Sequence, residues 1–453
     1  MTFFGHPRGL GFLAGTELWE RFSFYGMQAL LMLYMTKHLL APSVAGHVVG
    51  LKAFREITSS VLGPMTDLAF AAQTFGLYSG LMLVTPLVGA WLGDRVLGRT
   101  RTISLGALLM SAGHLTMASE QAFLLALLLL IVGGGCLVGN LPAQIGRLYA
   151  PEDTRRTRAF GVYLMAVNVG AFAAPLVVGT LGEKVGWHWG FAAAGVGMLV
   201  GLVVYLVGRP HYPTDYQRPG ARPERLSQRQ WTAIGGLLLL LLPKLFAFAA
   251  AQQAYGIMIV WAERGVDRSV FGWTMPVTWI LTADGFLTIA GVAFANRLWG
   301  RMAQRGREPA DLRKVGIGHL LVTVAFVMIG ALAALKSVPM PAWLAFYLIL
   351  GFSYAWWDVP TRSLLSRYAP AQVNGTMFAI SSLFGAVGYF LLGYMGRFYE
   401  PLGASYYFLL ISLLPITGAV MLLAFSEPLM RLLLAGEQAD VIGSPVDAIP
   451  VTG

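Results

Sequence analysis

Three ionisable residues inside one apolar stretch are the first candidates for chemistry in this chain. Glu17, Glu20 and Arg21 stand at i, i+3 and i+4, which puts them on one face of a helix. Two carboxylates beside one guanidinium leave a negative charge over, to be met by a proton or a further cation. That is a protonation switch in principle. The plainer reading is an ion pair that only packs neighbouring helices together. Asp284, Asp358 and Lys244 lie in other apolar stretches, so four carboxylates face two cations, Arg21 and Lys244, a formal balance of −2. Buried carboxylates without partners protonate rather than stay ionised. Lys244 has two readings: it pairs with Asp284 or Asp358, or it snorkels toward water.

The elements that must position these groups are membrane spans. Of 453 residues, 56% are hydrophobic and 12% charged, whereas a soluble domain carries roughly twice that charged fraction. Taking about 20 apolar residues per span, twelve spans are expected at roughly 11–38, 68–92, 102–118, 121–146, 159–182, 189–208, 231–262, 270–296, 314–335, 341–366, 371–396 and 404–425. The fold class is therefore an all-α membrane protein. A charge at mid-bilayer costs several kcal/mol, so Glu17, Glu20 and Arg21 must face an internal cavity and one another. Counting Lys and Arg in alternate loops places 22 on the side of both termini and 8 opposite; the other two of the 32 are Arg21 and Lys244. Both termini are thus expected in the cytoplasm. The net charge of +10 is explained by these loops and does not call for a nucleic-acid partner. Cys136, the sole cysteine, lies in an apolar run, and no cleavable leader is visible at the start.

Two related halves are expected, 1–208 and 231–430, with a polar, proline-rich cytoplasmic linker at 209–230 and a disordered tail at 431–453. Asp94-Arg95-Val-Leu-Gly98-Arg99 after the second span is echoed by Asn296-Arg297-Leu-Trp-Gly300-Arg301 after the eighth. Such an echo at one topological place marks parallel repeats about an axis normal to the membrane. Gly98 permits a tight turn, and Asp94, Arg95 and Arg99 are candidates for a cytoplasmic gate that bridges helix ends.

The six-plus-six plan with a basic, glycine-containing loop resembles the major facilitator superfamily. Glu17-x-x-Glu20-Arg21-Phe22-x-Phe24-Tyr25-Gly26 is similar to the first-helix signature of its proton-coupled oligopeptide transporters. Thr85-Pro86 through Gly98, Thr102-Ile103, Phe160-x-x-Tyr163 with Asn168-Val-Gly170, and Ala369-Pro370 with Gly375-x-Met377 and Gly388 extend the likeness over nearly the whole chain. The resemblance implies a proton-coupled symporter of the cell (inner) membrane, not an enzyme, that imports di- and tripeptides or peptide-like compounds. It implies that Glu17, Glu20 and Arg21 couple proton movement, that Arg21 faces the substrate carboxylate and that Asn168 lines the peptide site.

Departures from the family pattern bear on the cargo. Val138 stands where the family usually has a fourth-helix lysine, Gln252 where the seventh helix has a glutamate, Tyr354 where the tenth helix offers one, Asp284 where the eighth has an asparagine, and Gln28 where a first-helix arginine is common. The linker also leaves no room for the two extra helices of many bacterial members. A lost cation near Val138 with Asp284 and Asp358 retained suggests a substrate less anionic than a free peptide. The substrate-binding set is Arg21, Tyr25, Tyr34, Asn168, Gln252, Asp284, Tyr354 and Asp358. Two alternatives stay open: a carrier of another small amphiphilic solute, an exporter included, and a ligand-binding transceptor with weak transport. His114 reads as a structural histidine more than a relay. No metal-ligand cluster and no cofactor is expected, and the working unit is a monomer in the lipid bilayer.

Overall fold

A computed structural model describes residues 5–150, 153, 155–213 and 226–443. The apolar runs form twelve long helices: α1 Arg8–Tyr34, α2 Asp67–Arg95, α3 Arg99–Thr116, α4 Phe123–Val138, α5 Arg155–Ala174, α6 Trp187–Gly208, α7 Gln228–Ala251, α8 Trp279–Gln304, α9 Asp311–Leu332, α10 Met340–Tyr368, α11 Asn374–Met395 and α12 Tyr399–Gly443. Eight helical stretches, the last running through α11 and α12, are long and apolar enough to cross a membrane by composition alone. The helices outside that set, α1, α3 and α10, carry charges: Glu17, Glu20 and Arg21 in α1, Arg99 and Arg101 in α3, Asp358, Arg362 and Arg367 in α10. They cross as parts of a bundle whose outer surface is apolar, with Val88, Leu108, Leu128, Val203 and Leu423 all exposed.

Helix ends follow local chemistry. Ser227 and Gln230 form a capping box at α7: Ser227 Oγ accepts from Gln230 N at 3.2 Å and Gln230 Oε1 accepts from Ser227 N at 2.9 Å, which satisfies two otherwise orphaned donors. Gly98, at φ +79°, makes the turn from α2 into α3, a backbone setting that side chains with a Cβ rarely adopt. Pro175, which has no N–H to give, starts a π-helical turn that extends α5. The eighth span begins later than expected. Residues 270–274 are apolar enough to lengthen the hydrophobic run, but Ser269–Val270 pairs with Trp273–Thr274 as a hairpin and the helix starts at Trp279. The expected disordered tail is also corrected: α12 continues to Gly443, while 444–453 lie outside the described residues, as do 214–225 of the linker.

Packing repeats between the halves. In the first, α1 packs on α5 and α6, α2 on α4, and α3 on α4 and α6; in the second, α7 packs on α11 and α12, α8 on α10, and α9 on α10 and α12. Adding six to each helix number converts one set into the other, as the echoed loop motif anticipates. Between halves, α2 runs along α11 and α5 meets α8.

Several bonds join the halves at the end remote from the chain termini, the distal end. Lys37 pairs with Glu263, Trp279 Nε1 donates to Thr180 Oγ1 at 2.7 Å and Thr282 Oγ1 donates to Phe172 O at 2.9 Å. Glu183 does most. Its carboxylate accepts from Val277 N at 2.9 Å, Thr278 N at 3.0 Å and Thr278 Oγ1 at 2.7 Å, so an anion from the first half caps the start of α8, where the helix dipole favours negative charge. Hydrogen bonds to a charged acceptor contribute about 1.5–3 kcal/mol. Glu183→Ala is therefore expected to loosen this latch and raise the alkylation rate of a thiol at Thr282→Cys, in a Cys136→Ser background, by roughly tenfold, the equivalent of about 1.4 kcal/mol. An unchanged rate would mean that the carboxylate only tidies a helix end.

Candidate functional site

The helical face foreseen for α1 is formed. Arg21 Nε lies 3.0 Å from Glu17 Oε1 and 2.5 Å from Glu20 Oε2, with the two glutamate side chains 1% and 0% exposed and the arginine 14%. The three groups touch, yet the N–H bond aims at neither carboxylate. Arg21 Nε, both Glu20 oxygens and Glu17 Oε2 are left without aligned hydrogen-bond partners among the described residues. Buried polar atoms are nearly always paired in native structures, so these atoms stand out from the rest of the interior. The guanidinium carbon of Arg21 sits 5.4 Å from the centre of the Phe24 ring. Contact between α5 and α1 depends on Gly170, where a Cβ would collide with Leu18 O.

A second charged group lies in the other half. Tyr354, Asp358 and Arg362 follow one another at i, i+4 and i+8 on α10. Asp358, 3% exposed, sits 3.2 Å from Lys244 Nζ and 2.5 Å from Arg362 Nε. Lys244 also donates to Ser381 Oγ at 2.9 Å. Of the two readings for Lys244, pairing is the observed one, and the partner is Asp358 rather than Asp284. Arg362, inside the expected span 341–366 but outside the charge balance drawn from the sequence, lies on α10 beside Asp358, so adding it to Glu17, Glu20, Asp284, Asp358, Arg21 and Lys244 brings that balance from −2 to −1. The signal was present in the sequence, since Arg362 is one turn from Asp358.

Between these groups lies a set of hydroxyls and amides. Asp284, 8% exposed, accepts from the Tyr255 hydroxyl at 3.0 Å. Tyr389 of α11 accepts from Gln28 Nε2 at 3.1 Å and from Gln252 Nε2, tying α1, the turn that follows α7, and α11 together. Sequence reasoning missed Tyr255, Tyr389 and Ser381, because nothing local distinguishes them from packing residues.

One other expectation is corrected. Tyr34 is fully buried in an aromatic cluster with Phe123, Trp187 and Phe191, so it packs the first half and does not line the site. Asn168, by contrast, is exposed on α5 and its amide donates to Leu164 O at 2.8 Å. Asp94 and Arg99, the two ends of the α2–α3 turn, form a pair, Nη2 to Oδ1 2.7 Å, with Arg95 exposed beside them. His114 is buried and bonded to Ser23, one turn from Glu20. His38, Glu120 and His188, far apart in sequence, converge at the distal surface.

The Major Facilitator Superfamily model matches residues 22–393, and the chain belongs to that superfamily of membrane transporters. Within that superfamily, the relatives to which the chain is similar are peptide transporters. The di-/tripeptide transporter of Lactococcus lactis subsp. lactis (strain IL1403) is 26% identical over 95% of this chain and 97% of its own length. The peptide transporter YePEPT of Yersinia enterocolitica subsp. palearctica serotype O:3 (strain YE-P4) is 27% identical over 77% of this chain and 79% of its own. The fold is similar to that of a mutant POT peptide transporter crystallised with alafosfalin, at TM-score 0.83 and 25% identity over 95% of this chain and 97% of that one.

Proposed function

We propose that this transporter imports di- and tripeptides or peptide-like compounds together with protons, by alternating access. The observation that carries the reading is the Glu17–Glu20–Arg21 trio, buried and one charge out of balance, with carboxylate oxygens that lack an aligned donor. Protonation of Glu20 or Glu17 frees Arg21 to bind the substrate carboxylate, and loss of that proton recaptures the guanidinium and releases the cargo. Asp284 receives the substrate amino group, with Tyr25, Gln252 and Tyr354 as further contacts and Asp358 holding Lys244 and Arg362. Residues 1–208 and 231–430 rock about this point as two bodies joined by 209–230. Both termini face the cytoplasm of an inner-membrane protein that works as a monomer, and the distal latch shuts the outer side.

Purified protein in liposomes tests this directly. Dialanine or a blocked dipeptide should accumulate when the lumen is more alkaline than the bath, and the accumulation should vanish with a protonophore. Binding without accumulation would favour a receptor, and indifference to all peptides a different cargo. Val138 ends α4 half-buried and uncharged, which favours substrates with a masked carboxylate. Val138→Lys is expected to shift preference by about tenfold toward peptides with a free C-terminus, the equivalent of about 1.4 kcal/mol. Unchanged competition between free and amidated dipeptides would refute the charge argument and leave the transport reading intact.

A further inference from the structure

The distal surface of the first half carries a second constellation that transport does not use. His38 lies in the π-helical turn Met35–Leu39 that ends α1, Glu120 opens the short turn before α4, and His188 is the second residue of α6. His38 Nε2 is 2.5 Å from Glu120 Oε1, and His188 Nε2 is 3.6 Å from the same oxygen. The two imidazoles stand edge to face, centroids 6.3 Å apart at 86°. The three ligand atoms lie within 4.8 Å of one another. Side-chain exposures of 33%, 32% and 46% leave the group open to water.

We infer that His38, Glu120 and His188 form a binding site for a divalent transition-metal ion of the zinc type. A tetrahedral zinc with bonds of 2.0–2.2 Å holds its ligands about 3.3 Å apart, so the two spacings to Glu120, 2.5 and 3.6 Å, lie within about an ångström of it, and the spacing between the two imidazole nitrogens, at most 4.8 Å, within about 1.5 Å. Two neutral imidazoles and one carboxylate suit zinc, nickel or copper and are poor ligands for magnesium or calcium, which prefer oxygen. A surface ion pair needs one histidine for one carboxylate. Here two histidines from different helices turn the same nitrogen toward one oxygen, and a metal explains the second. Three protein ligands leave the fourth position to water. Bound metal ties the end of α1 to α4 and α6, and Lys37, next to His38, pairs with Glu263 of the other half. The site therefore steadies the turn that carries one distal contact between the halves.

The test needs no transport. Full-length protein, its affinity tag removed and stripped with EDTA, is titrated with zinc in competition with a chromophoric chelator, with magnesium as the control. One equivalent of zinc should bind, raise the unfolding temperature by mass action, and resist competition by excess magnesium. His38→Ala and His188→Ala should each weaken binding at least tenfold and abolish the thermal shift, while unfolding like wild type in EDTA. Either no stoichiometric binding, or binding of equal strength in the doubly substituted protein, overturns the assignment and leaves an ordinary imidazole–carboxylate pair. If one variant unfolds early in EDTA, the more exposed His188→Ala decides.

Discussion

Glu20→Gln is expected to abolish proton-driven accumulation of substrate while leaving exchange of labelled for unlabelled substrate in place. The amide matches the carboxylate in shape, so the packing around a fully buried side chain is kept. It has no proton to give or take, and it removes the negative charge nearest Arg21. Arg21 is then held by Glu17 alone, and the link between protonation and release of the guanidinium is lost. A gradient of one pH unit supplies about 1.4 kcal/mol per proton, enough for about tenfold accumulation by wild type with one coupled proton. The variant should only equilibrate. The sign follows: wild-type uptake into a neutral lumen rises as the bath is acidified, and the variant's profile is flat. Uphill accumulation by Glu20→Gln at the wild-type level would take proton coupling away from this residue.

The second large effect concerns stability. Asp358 is 3% exposed and is the counter-charge of both Lys244, itself 8% exposed, and Arg362. Removing one partner of a buried ion pair leaves the other charge uncompensated, at a cost of about 3–5 kcal/mol. Asp358→Asn should therefore lower the thermal unfolding transition markedly. Arg362, with a side chain 55% exposed, keeps its water, so the loss falls mostly on Lys244. Removing both ends of the buried pair should then be far milder than removing one. Lys244→Met combined with Asp358→Leu is expected to regain most of the lost stability without restoring transport. If the double variant is as unstable as Asp358→Asn, the pair is not what Asp358 contributes.

The trio was legible in the sequence because its three members are neighbours on one helix, where spacing alone fixes the face. The same holds for the Gly98 turn and for the repeat between halves, since both rest on local backbone chemistry or on a pattern of apolar runs. The start of α8 was misread for a related reason: hydropathy reports apolar composition, and the hairpin at 269–274 is apolar without being helical. Tyr34 was misassigned because a tyrosine's hydroxyl gives no hint whether it meets a cavity or an aromatic cluster.

Sequence by itself determined that this chain spans a membrane many times, that it repeats, and that α1 carries one carboxylate more than its arginine balances. Those properties reside in composition, period and i, i+4 spacing. Tertiary structure alone decided that Lys244 serves Asp358 and not Asp284, that Tyr389 joins α1 to the turn that follows α7, that Glu183 caps a helix of the other half, and that His38, Glu120 and His188 meet. Each of these pairs residues dozens to hundreds of positions apart, and which of many compatible partners a buried polar group meets is fixed by helix packing, which no local spacing encodes.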